Sequence, residues 1–299
     1  MRLGIMAMQL GLILSMPRQG EQRSLAEAVA GFDSAALVSR LADAGFGLVE
    51  LNTDLELFLP GAFAGAARRR LAALKDRRGL TYTVHLPLWS VEASTPDENI
   101  RQASVATLVS AVERMAELEP EVYVLHPTGA LAGEFNRMRL PAEAKALVMG
   151  RFQQQARRSL AELLERTRVS PRTVAVENVE YPFDLTLALA EEFDCSLCLD
   201  TGHLLAGYSG NGRFEDAVER ALPRLAQVHL HDGYLRREGG VEKAADHLAL
   251  GEGDLPLAWL LDKLTAVNFR GPVVLEVSVA EAMSSVAAIR GLRPEAVGG

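Results

Sequence analysis

The sequence predicts a single (β/α)8 TIM barrel, in which eight parallel strands alternate with helices. Eight short apolar runs rich in β-branched residues recur along the 299-residue chain, and segments with apolar residues at 3.6-residue spacing separate them. Nearly continuous hydrophobic strands that alternate with amphipathic helices are typical of a parallel sheet covered by helices. Such a barrel uses about 250 residues, so one domain accounts for almost the whole chain.

A polar or ionisable residue lies at or next to the end of each predicted strand. The strands span residues 3–8, 47–52, 80–86, 122–126, 173–178, 196–200, 226–231 and 272–277. No linker rich in Pro, Gly or Ser interrupts the pattern. We therefore expect one domain over residues 1–292 and a flexible tail at 293–299.

Helix signals occur between these strands. Asp33 and Ser34 are candidate N-caps for a helix that ends at Gly45. Further helices are predicted over residues 97–118, 141–167, 256–267 and 279–289. Leu147 is expected to face the core from the second of these. The connections at 9–24, 53–65, 128–140 and 233–246 are predicted to be loops that set substrate specificity.

Composition narrows the compartment and the partners. A net charge of -8 and a pI near 5.4 disfavour nucleic-acid binding, because affinity for backbone phosphates comes mostly from clustered Lys and Arg. No apolar run approaches the roughly 20 residues of a membrane span, and the first sixteen residues lack a small-residue cleavage site. We expect a cytoplasmic protein with a small-molecule substrate and no membrane contact. The sequence leaves open whether the protein forms a homo-oligomer.

The two cysteines, Cys195 and Cys198, form a lone CxxC on a segment that is predicted to be a buried strand. No second pair completes a zinc cluster, and the motif does not begin a helix. Packed free thiols are therefore favoured over redox chemistry.

All six histidines lie at or just after the end of an apolar run, and three carboxylates lie at equivalent places. These residues are His85, His126, His203, His229, His231 and His247, with Glu177, Asp200 and Glu276. Functional residues of a TIM barrel come from the C-terminal ends of its strands, so these side chains are expected to converge. A mixed imidazole and carboxylate set favours Zn, with Mn or Co as alternatives, over Mg.

Four of these residues carry a family resemblance: Glu177, Asp200, His229 and Glu276. Together with the stretches CLDTGHLLAGY at 198–208, VHLHD at 228–232 and HLALGEG at 247–253, they resemble the xylose isomerase-like barrel superfamily. That superfamily contains sugar isomerases, sugar epimerases and the endonuclease IV family. The resemblance implies that the four residues hold one divalent ion and that, in an epimerase, Glu177 and Glu276 act as acid and base.

The other histidines distinguish the branches of the superfamily. Resemblance to the endonuclease IV family implies that His85 and His126 bind a second zinc, which Glu177 bridges to the first. A third zinc in that family uses two histidines, here His203 and His247, and the Asp of a D-x-H pair. That Asp position is Ala245 in this chain, and Asp246 follows one residue late. The third ion therefore stays open, and His203 and His247 are alternatively hydrogen-bond donors to a phosphate.

Residues near the seventh strand are weaker candidates. Strand alternation places His231 on the same side as His229, which favours a substrate contact, while Asp232 orients a ligand or caps the following loop. Arg236, Arg237 and Lys243 either meet a substrate phosphate or form a solvated loop. In the turn that follows, Gly251 gives backbone freedom and Asp254 is a candidate helix cap.

Three functions compete. Two metal ions about 3.5 to 4 Å apart can activate a water and neutralise the leaving oxygen of a phosphoryl displacement. The histidines outside the four-residue set therefore favour a metal-dependent phosphodiesterase with a small or nucleotide-like substrate. The chain also resembles cobamide-remodelling phosphodiesterases, which cleave the nucleotide loop of corrinoid cofactors. The alternatives are a sugar or sugar-phosphate isomerase or epimerase with one divalent ion, and a non-catalytic binding barrel.

Overall fold

The barrel is the main element of the computed structural model, which describes residues 1–9, 29, 31–210, 212–239 and 241–294. Its strands are β1 (Arg2–Met6), β2 (Leu48–Asn52), β3 (Thr81–His85), β4 (Tyr123–Leu125), β5 (Val174–Glu177), β6 (Ser196–Asp200), β7 (Leu225–Leu230) and β10 (Pro272–Leu275). They close in the order β1-β10-β7-β6-β5-β4-β3-β2. The predicted (β/α)8 barrel is confirmed.

The strand register brings the ionisable residues to one end of the barrel. His85 pairs with Val124, and Asp200 pairs with His229, in parallel ladders. Paired residues of neighbouring strands project from the same face of a sheet, so Asp200 and His229 both point into the barrel. The C-terminal mouth of the barrel is therefore where the candidate site lies.

Helices cover the outside of the barrel. They are α1 (Ser34–Asp43), α2 (Leu55–Phe58), α3 (Gly65–Arg78), α4 (Glu98–Met115), α5 (Ala130–Arg137), α6 (Ala142–Thr167), α7 (Phe183–Glu192), α8 (Thr201–Leu205), α9 (Phe214–Ala221), α10 (Leu257–Ala266) and α11 (Val279–Leu292). Short 3-10 turns follow at Ala116–Leu118, Pro171–Thr173 and Leu222–Arg224.

Side-chain caps explain where several helices begin. The Asp33 carboxylate accepts a hydrogen bond from the Ala35 backbone N–H at 3.0 Å, so the predicted cap of α1 is confirmed. Ser278 and Glu281 form a capping box at the start of α11. These caps satisfy backbone donors that have no partner within the helix.

The expectation that Leu147 faces the core is wrong, because its side chain is 71% exposed. The buried stripe of α6 begins only at Met149 and continues through Phe152, Leu160 and Leu163. Leu147 precedes Met149 by two residues, which is a rotation of about 200° around a helix with 3.6 residues per turn. It therefore lies on the opposite, solvent-facing side.

The predicted loop at 233–246 is largely an antiparallel hairpin of β8 (Asp232–Glu238) and β9 (Val241–Leu248), in which Arg236 pairs with Lys243. Its residues are mainly charged and exposed, so the apolar alternation of a half-buried strand is absent and the sequence pattern does not reveal it. The hairpin packs against α8 and brings its last residues to the mouth of the barrel.

Two predictions concern the ends of the chain, namely the flexible tail at 293–299 and the loop at 9–24. Arg293, the first residue of the predicted tail, donates to both carboxylate oxygens of Asp262 at 2.6 and 2.7 Å. Residues 295–299 of that tail, and residues 10–24 of the first predicted loop, lie outside the described residues. In the described part of the chain, no helix combines the length and apolar character needed to cross a membrane.

Cys195 and Cys198 are both buried free thiols, as the sequence predicts. Burial raises the pKa of Cys195 to about 12, with a smaller contribution from Asp194. A thiol with so high a pKa is not ionised near neutral pH, which agrees with a packing role.

Candidate active site

Two histidines converge on one oxygen of Glu177. His85 ends β3, His126 follows β4 and Glu177 ends β5, so the barrel brings their side chains together. The Nε2 atoms of His85 and His126 lie 3.4 and 3.0 Å from Glu177 Oε2. This oxygen is buried, and no described donor meets hydrogen-bond geometry with it. A buried, unpartnered carboxylate oxygen between two imidazole nitrogens fits a cation site.

The other oxygen of Glu177 faces a second group of side chains. His229 Nδ1 lies 3.2 Å from Glu177 Oε1, 3.1 Å from Glu276 Oε1 and 3.9 Å from Asp200 Oδ2. All four residues are buried or nearly buried. The two carboxylate oxygens of Glu177 thus face different sets of candidate metal ligands, which is the arrangement of a bridging carboxylate.

The charges in this cluster favour ionised acids. Burial would raise the pKa of Glu177, but His229 and His126 hold it well below its usual value. The pKa values of Asp200 and Glu276 are also lowered, because nearby histidines outweigh the effect of burial. Three carboxylates in one buried region repel each other unless cations compensate them. The donor set therefore fits divalent metal.

The two histidines that face Glu177 Oε2 differ in charge. Burial would lower the pKa of His85, but Glu177, and to a smaller extent Glu50, raise it to about 9. Burial lowers the pKa of His126 despite the same carboxylate, and the neighbouring His85 adds to this effect. Near pH 7 the pair therefore carries one positive charge, on His85.

A third group forms at the end of β9. His247 Nδ1 lies 3.0 Å and His203 Nε2 lies 3.6 Å from Asp246 Oδ2, and His247 Nε2 lies 3.4 Å from Glu276 Oε2. His247 has a φ of +52°, so the chain departs from regular strand geometry at this residue. Neighbouring side chains of a regular strand point to opposite faces, whereas Asp246 and His247 contact each other here. Asp246 thus brings a carboxylate to the histidine pair although Ala245 occupies the expected position.

His231 supports Asp200 from behind. Its Nε2 donates to Asp200 Oδ2 at 2.9 Å, while its Nδ1 accepts the His247 backbone N–H at 2.8 Å. A Cβ on Gly202 would lie 2.1 Å from the His231 ring, so this close packing requires glycine. Because His231 is fully buried, this geometry gives no support to its predicted substrate contact.

Asp232 organises the turn after the hairpin. Its two oxygens accept the backbone N–H groups of Gly233, Gly251 and Leu255, each at 2.9 Å. Gly251 has a φ of +98°, as expected for the predicted tight turn. Of the two roles that the sequence left open for Asp232, the geometry favours loop capping.

Asp254 does not cap α10, which begins after Pro256. Its carboxylate instead lies 3.3 Å from Arg236. Arg236 also lies over the Tyr234 ring, and Arg237 pairs with Glu242. The mouth of the barrel contains a large cavity, and neither arginine nor Lys243 is among the described residues that line it. Their predicted phosphate contacts therefore find no support in this geometry.

A cavity of about 920 Å³ opens above the ionisable cluster. Its ionisable lining residues include His85, His126, Glu177, His203, His247 and Glu276. Its apolar lining residues include Met6, Met8, Leu88, Trp89, Val277 and Val279. A substrate in this cavity can therefore touch the candidate ligands and also contact apolar side chains.

Sequence reasoning missed Glu50, a fully buried carboxylate on β2 that lies 2.9 Å from His229 Nε2. The signal was available, because Glu50 is a lone acid inside the apolar run GLVELN. Glu50 lies two residues before the end of β2 and so falls outside the strand-end pattern that predicts the other ligands.

Comparisons with known proteins agree with this architecture. A family model described as xylose isomerase-like TIM barrel matches residues 38–294. An uncharacterized protein of Methanocaldococcus jannaschii is 24% identical over 218 residues, which cover 69% of this chain and 67% of that protein.

Two solved structures illustrate the range of relatives. A D-tagatose 3-epimerase-like protein has a TM-score of 0.68 and 19% identity, covering 98% of this chain and 97% of its own. Endonuclease IV from Thermus thermophilus has a TM-score of 0.64 and 21% identity, covering 99% of this chain and 100% of its own. At these identities the similarity establishes the fold, and the reaction has to be argued from the site.

Proposed function

The chain belongs to the xylose isomerase-like TIM barrel family, and from its site we propose that it is a metal-dependent phosphodiesterase with a small or nucleotide-like substrate. One observation carries the proposal: Glu177 directs one oxygen to His85 and His126 and the other to His229. An epimerase with one divalent ion has no need for the first pair. A centre with two metals does, and such centres serve phosphoryl displacement.

The ligand sets follow from the distances. His85, His126 and Glu177 would hold one ion, and Glu177, Asp200, His229 and Glu276 would hold another. The mixture of imidazole and carboxylate supports zinc. When bound, the two ions would supply an activated water and neutralise charge on the leaving oxygen.

His203 and His247 line the cavity beside Asp246 and complete the proposed machinery. Burial would lower the pKa of His247, but hydrogen bonds to Asp246 and Glu276 raise it to about 11. As a cation, His247 can donate a hydrogen bond to a substrate phosphate. As neutral groups, His203 and His247 could join Asp246 around a third ion.

The cavity supports a substrate that is part polar and part apolar. Trp89 is 55% exposed, and its ring meets that of Phe58 edge-on at 5.7 Å between centroids. Exposed aromatic rings provide a surface on which a nucleobase can stack. Together with the net charge of -8, this favours a small nucleotide-like diester over duplex DNA. The nucleotide loop of a cobamide is one substrate of this kind.

A sugar or sugar-phosphate epimerase is the second candidate. Glu177 and Glu276 both line the cavity, and both lie within 3.2 Å of His229 Nδ1. Two carboxylates on one substrate can respectively remove and return a proton. The similarity in fold to a D-tagatose 3-epimerase-like protein is compatible with this reaction.

Metal counting and substrate turnover separate the two candidates. Mass spectrometry of purified protein should find two or three metal equivalents per chain. A panel of bis(p-nitrophenyl) phosphate, dinucleotides, a cobamide and ketohexoses should yield turnover only with the phosphodiesters. His126→Ala should abolish this hydrolysis, whereas Gln102→Ala, an exposed change on α4, should not alter it. Full hydrolysis by His126→Ala would overturn the two-metal proposal, and one metal equivalent with ketohexose turnover would establish the alternative.

A further inference from the structure

A buried polar group lies beneath the candidate metal centre, inside the barrel. Glu50 is fully buried on β2, and its Oε2 accepts hydrogen bonds from the Thr83 hydroxyl at 2.9 Å and from the Gln227 amide. Its Oε1 lies 2.9 Å from His229 Nε2, and no described donor meets hydrogen-bond geometry with this oxygen. A buried carboxylate is costly unless it is paired, so this placement requires an explanation.

His229 presents a different nitrogen to each group. Its Nδ1 faces Glu177 and Glu276, and its Nε2 lies 2.9 Å from Glu50 Oε1 and 2.9 Å from the Gln227 amide nitrogen, which can donate to it while no metal is bound. A nitrogen that binds a metal must be unprotonated, so the proton of a neutral ligand imidazole lies on its other nitrogen. For His229 that other nitrogen is Nε2, which lies 2.9 Å from Glu50 Oε1.

We propose that Glu50 is a positioning residue that accepts the Nε2–H of His229 once Nδ1 is bound to metal, when the Gln227 amide nitrogen can no longer donate to Nε2, and that it thereby holds Nδ1 toward the metal. Thr83 and Gln227 hold the other carboxylate oxygen and so prevent Glu50 from rotating away. This inference rests on the proposed metal centre, because it assigns the nitrogen through which His229 binds. Partners of this kind fix the tautomer and ring orientation of a ligand histidine and raise its basicity.

Glu50→Gln tests the proposal with little change of shape. Loss of such a partner typically weakens metal binding about 10- to 100-fold, and we expect a shift of that size in the zinc dissociation constant, measured by competition with a chromophoric chelator. Glu92→Gln is the matched control, because Glu92 Oε2 is also buried and unpartnered but the carboxylate receives the Leu131 N–H. Its zinc affinity should equal that of the unaltered protein.

The tautomer of His229 provides a readout that a purely structural role would not move. Nitrogen-15 NMR of the zinc-loaded, unaltered protein should show His229 protonated at Nε2 and metal-bound at Nδ1, with the signals assigned through His229→Gln. Binding through Nε2 would overturn the proposal, even if Glu50→Gln fails to fold.

The outcomes distinguish this inference from the proposed function. If the unaltered protein binds zinc and Glu50→Gln binds it equally well, only the role of Glu50 is wrong. If the unaltered protein binds no zinc, the proposed metal centre fails and the role of Glu50 fails with it.

Discussion

Zinc binding should release protons at neutral pH, and its affinity should rise steeply as the solution becomes more alkaline. The reason is His85, whose pKa is raised to about 9 by Glu177 in spite of burial. At pH 7 this imidazole is almost fully protonated, whereas a metal ligand must be neutral. Its neighbour His126 has a lowered pKa and contributes no proton at this pH.

The size of the effect follows from the position of this pKa. Each pH unit below a pKa of about 9 costs about 1.4 kcal/mol to remove the proton. Between pH 7 and pH 9, where half of His85 is still protonated, displacement of the His85 proton alone should therefore strengthen zinc binding about 50-fold. Isothermal titration calorimetry in buffers of different ionisation enthalpy counts the released protons directly. Equal affinities at pH 7 and pH 9, with no proton release, would refute the assignment of His85 as a ligand.

The metal-free protein should respond to pH in the opposite direction. The folded-state pKa of His85 is raised above its usual value of 6.5, so its contribution to folding is complete below pH 6.5 and is lost as pH rises through about 9. The shift corresponds to about 3 kcal/mol in the free energy of unfolding. Urea unfolding of the metal-free protein at pH 6 and pH 9 measures the total change, to which the raised pKa values of His229, His231 and His247 add in the same direction. Greater stability of the metal-free protein at pH 9 would contradict this sign.

Three substitutions test other parts of the structure. In metal titrations, Asp246→Asn should abolish or weaken the binding of one metal equivalent. Asp254→Asn, on the neighbouring turn, should leave the binding of all equivalents unchanged. Equal losses in the two variants would exclude a ligand role for Asp246. Gly202→Ala places a Cβ 2.1 Å from the His231 ring. The free energy of unfolding should therefore fall by about 1 to 3 kcal/mol, and zinc binding should weaken. Normal zinc affinity in this variant would show that His231 does not support the site. Leu71→Ala, in the fully buried core, should lower the free energy of unfolding by about 2 to 5 kcal/mol without altering the metal count; a changed count would mean that the centre depends on distant packing.

The segment that follows β7 adopts a structure that the sequence pattern does not predict. The sequence predicts a loop there, and the structure contains the β8–β9 hairpin. The two strands pair mainly with each other and leave most side chains in solvent, so no buried face imposes a pattern on the sequence. The same hairpin carries Asp246 and His247 to the mouth of the barrel, where the left-handed φ of His247 decides their direction.

The sequence by itself determined the barrel and the main ligand candidates. Short apolar runs alternate with segments that have apolar residues at 3.6-residue spacing, and this alternation predicts parallel strands with helices between them. Parallel strands in a barrel bring all their C-terminal ends to one face. Convergence of His85, His126 and Glu177 then follows from topology, without any knowledge of loop conformation.

Only the tertiary structure decided the partners of those ligands. Glu50 behind His229, His231 behind Asp200 and Asp246 in place of the residue at 245 are pairings over 2.9 to 3.6 Å between distant or irregular parts of the chain. Such distances depend on strand register, on single backbone angles and on the absence of a Cβ at Gly202. A periodic sequence pattern records which face of a strand is buried, whereas a hydrogen bond also depends on the positions of individual atoms.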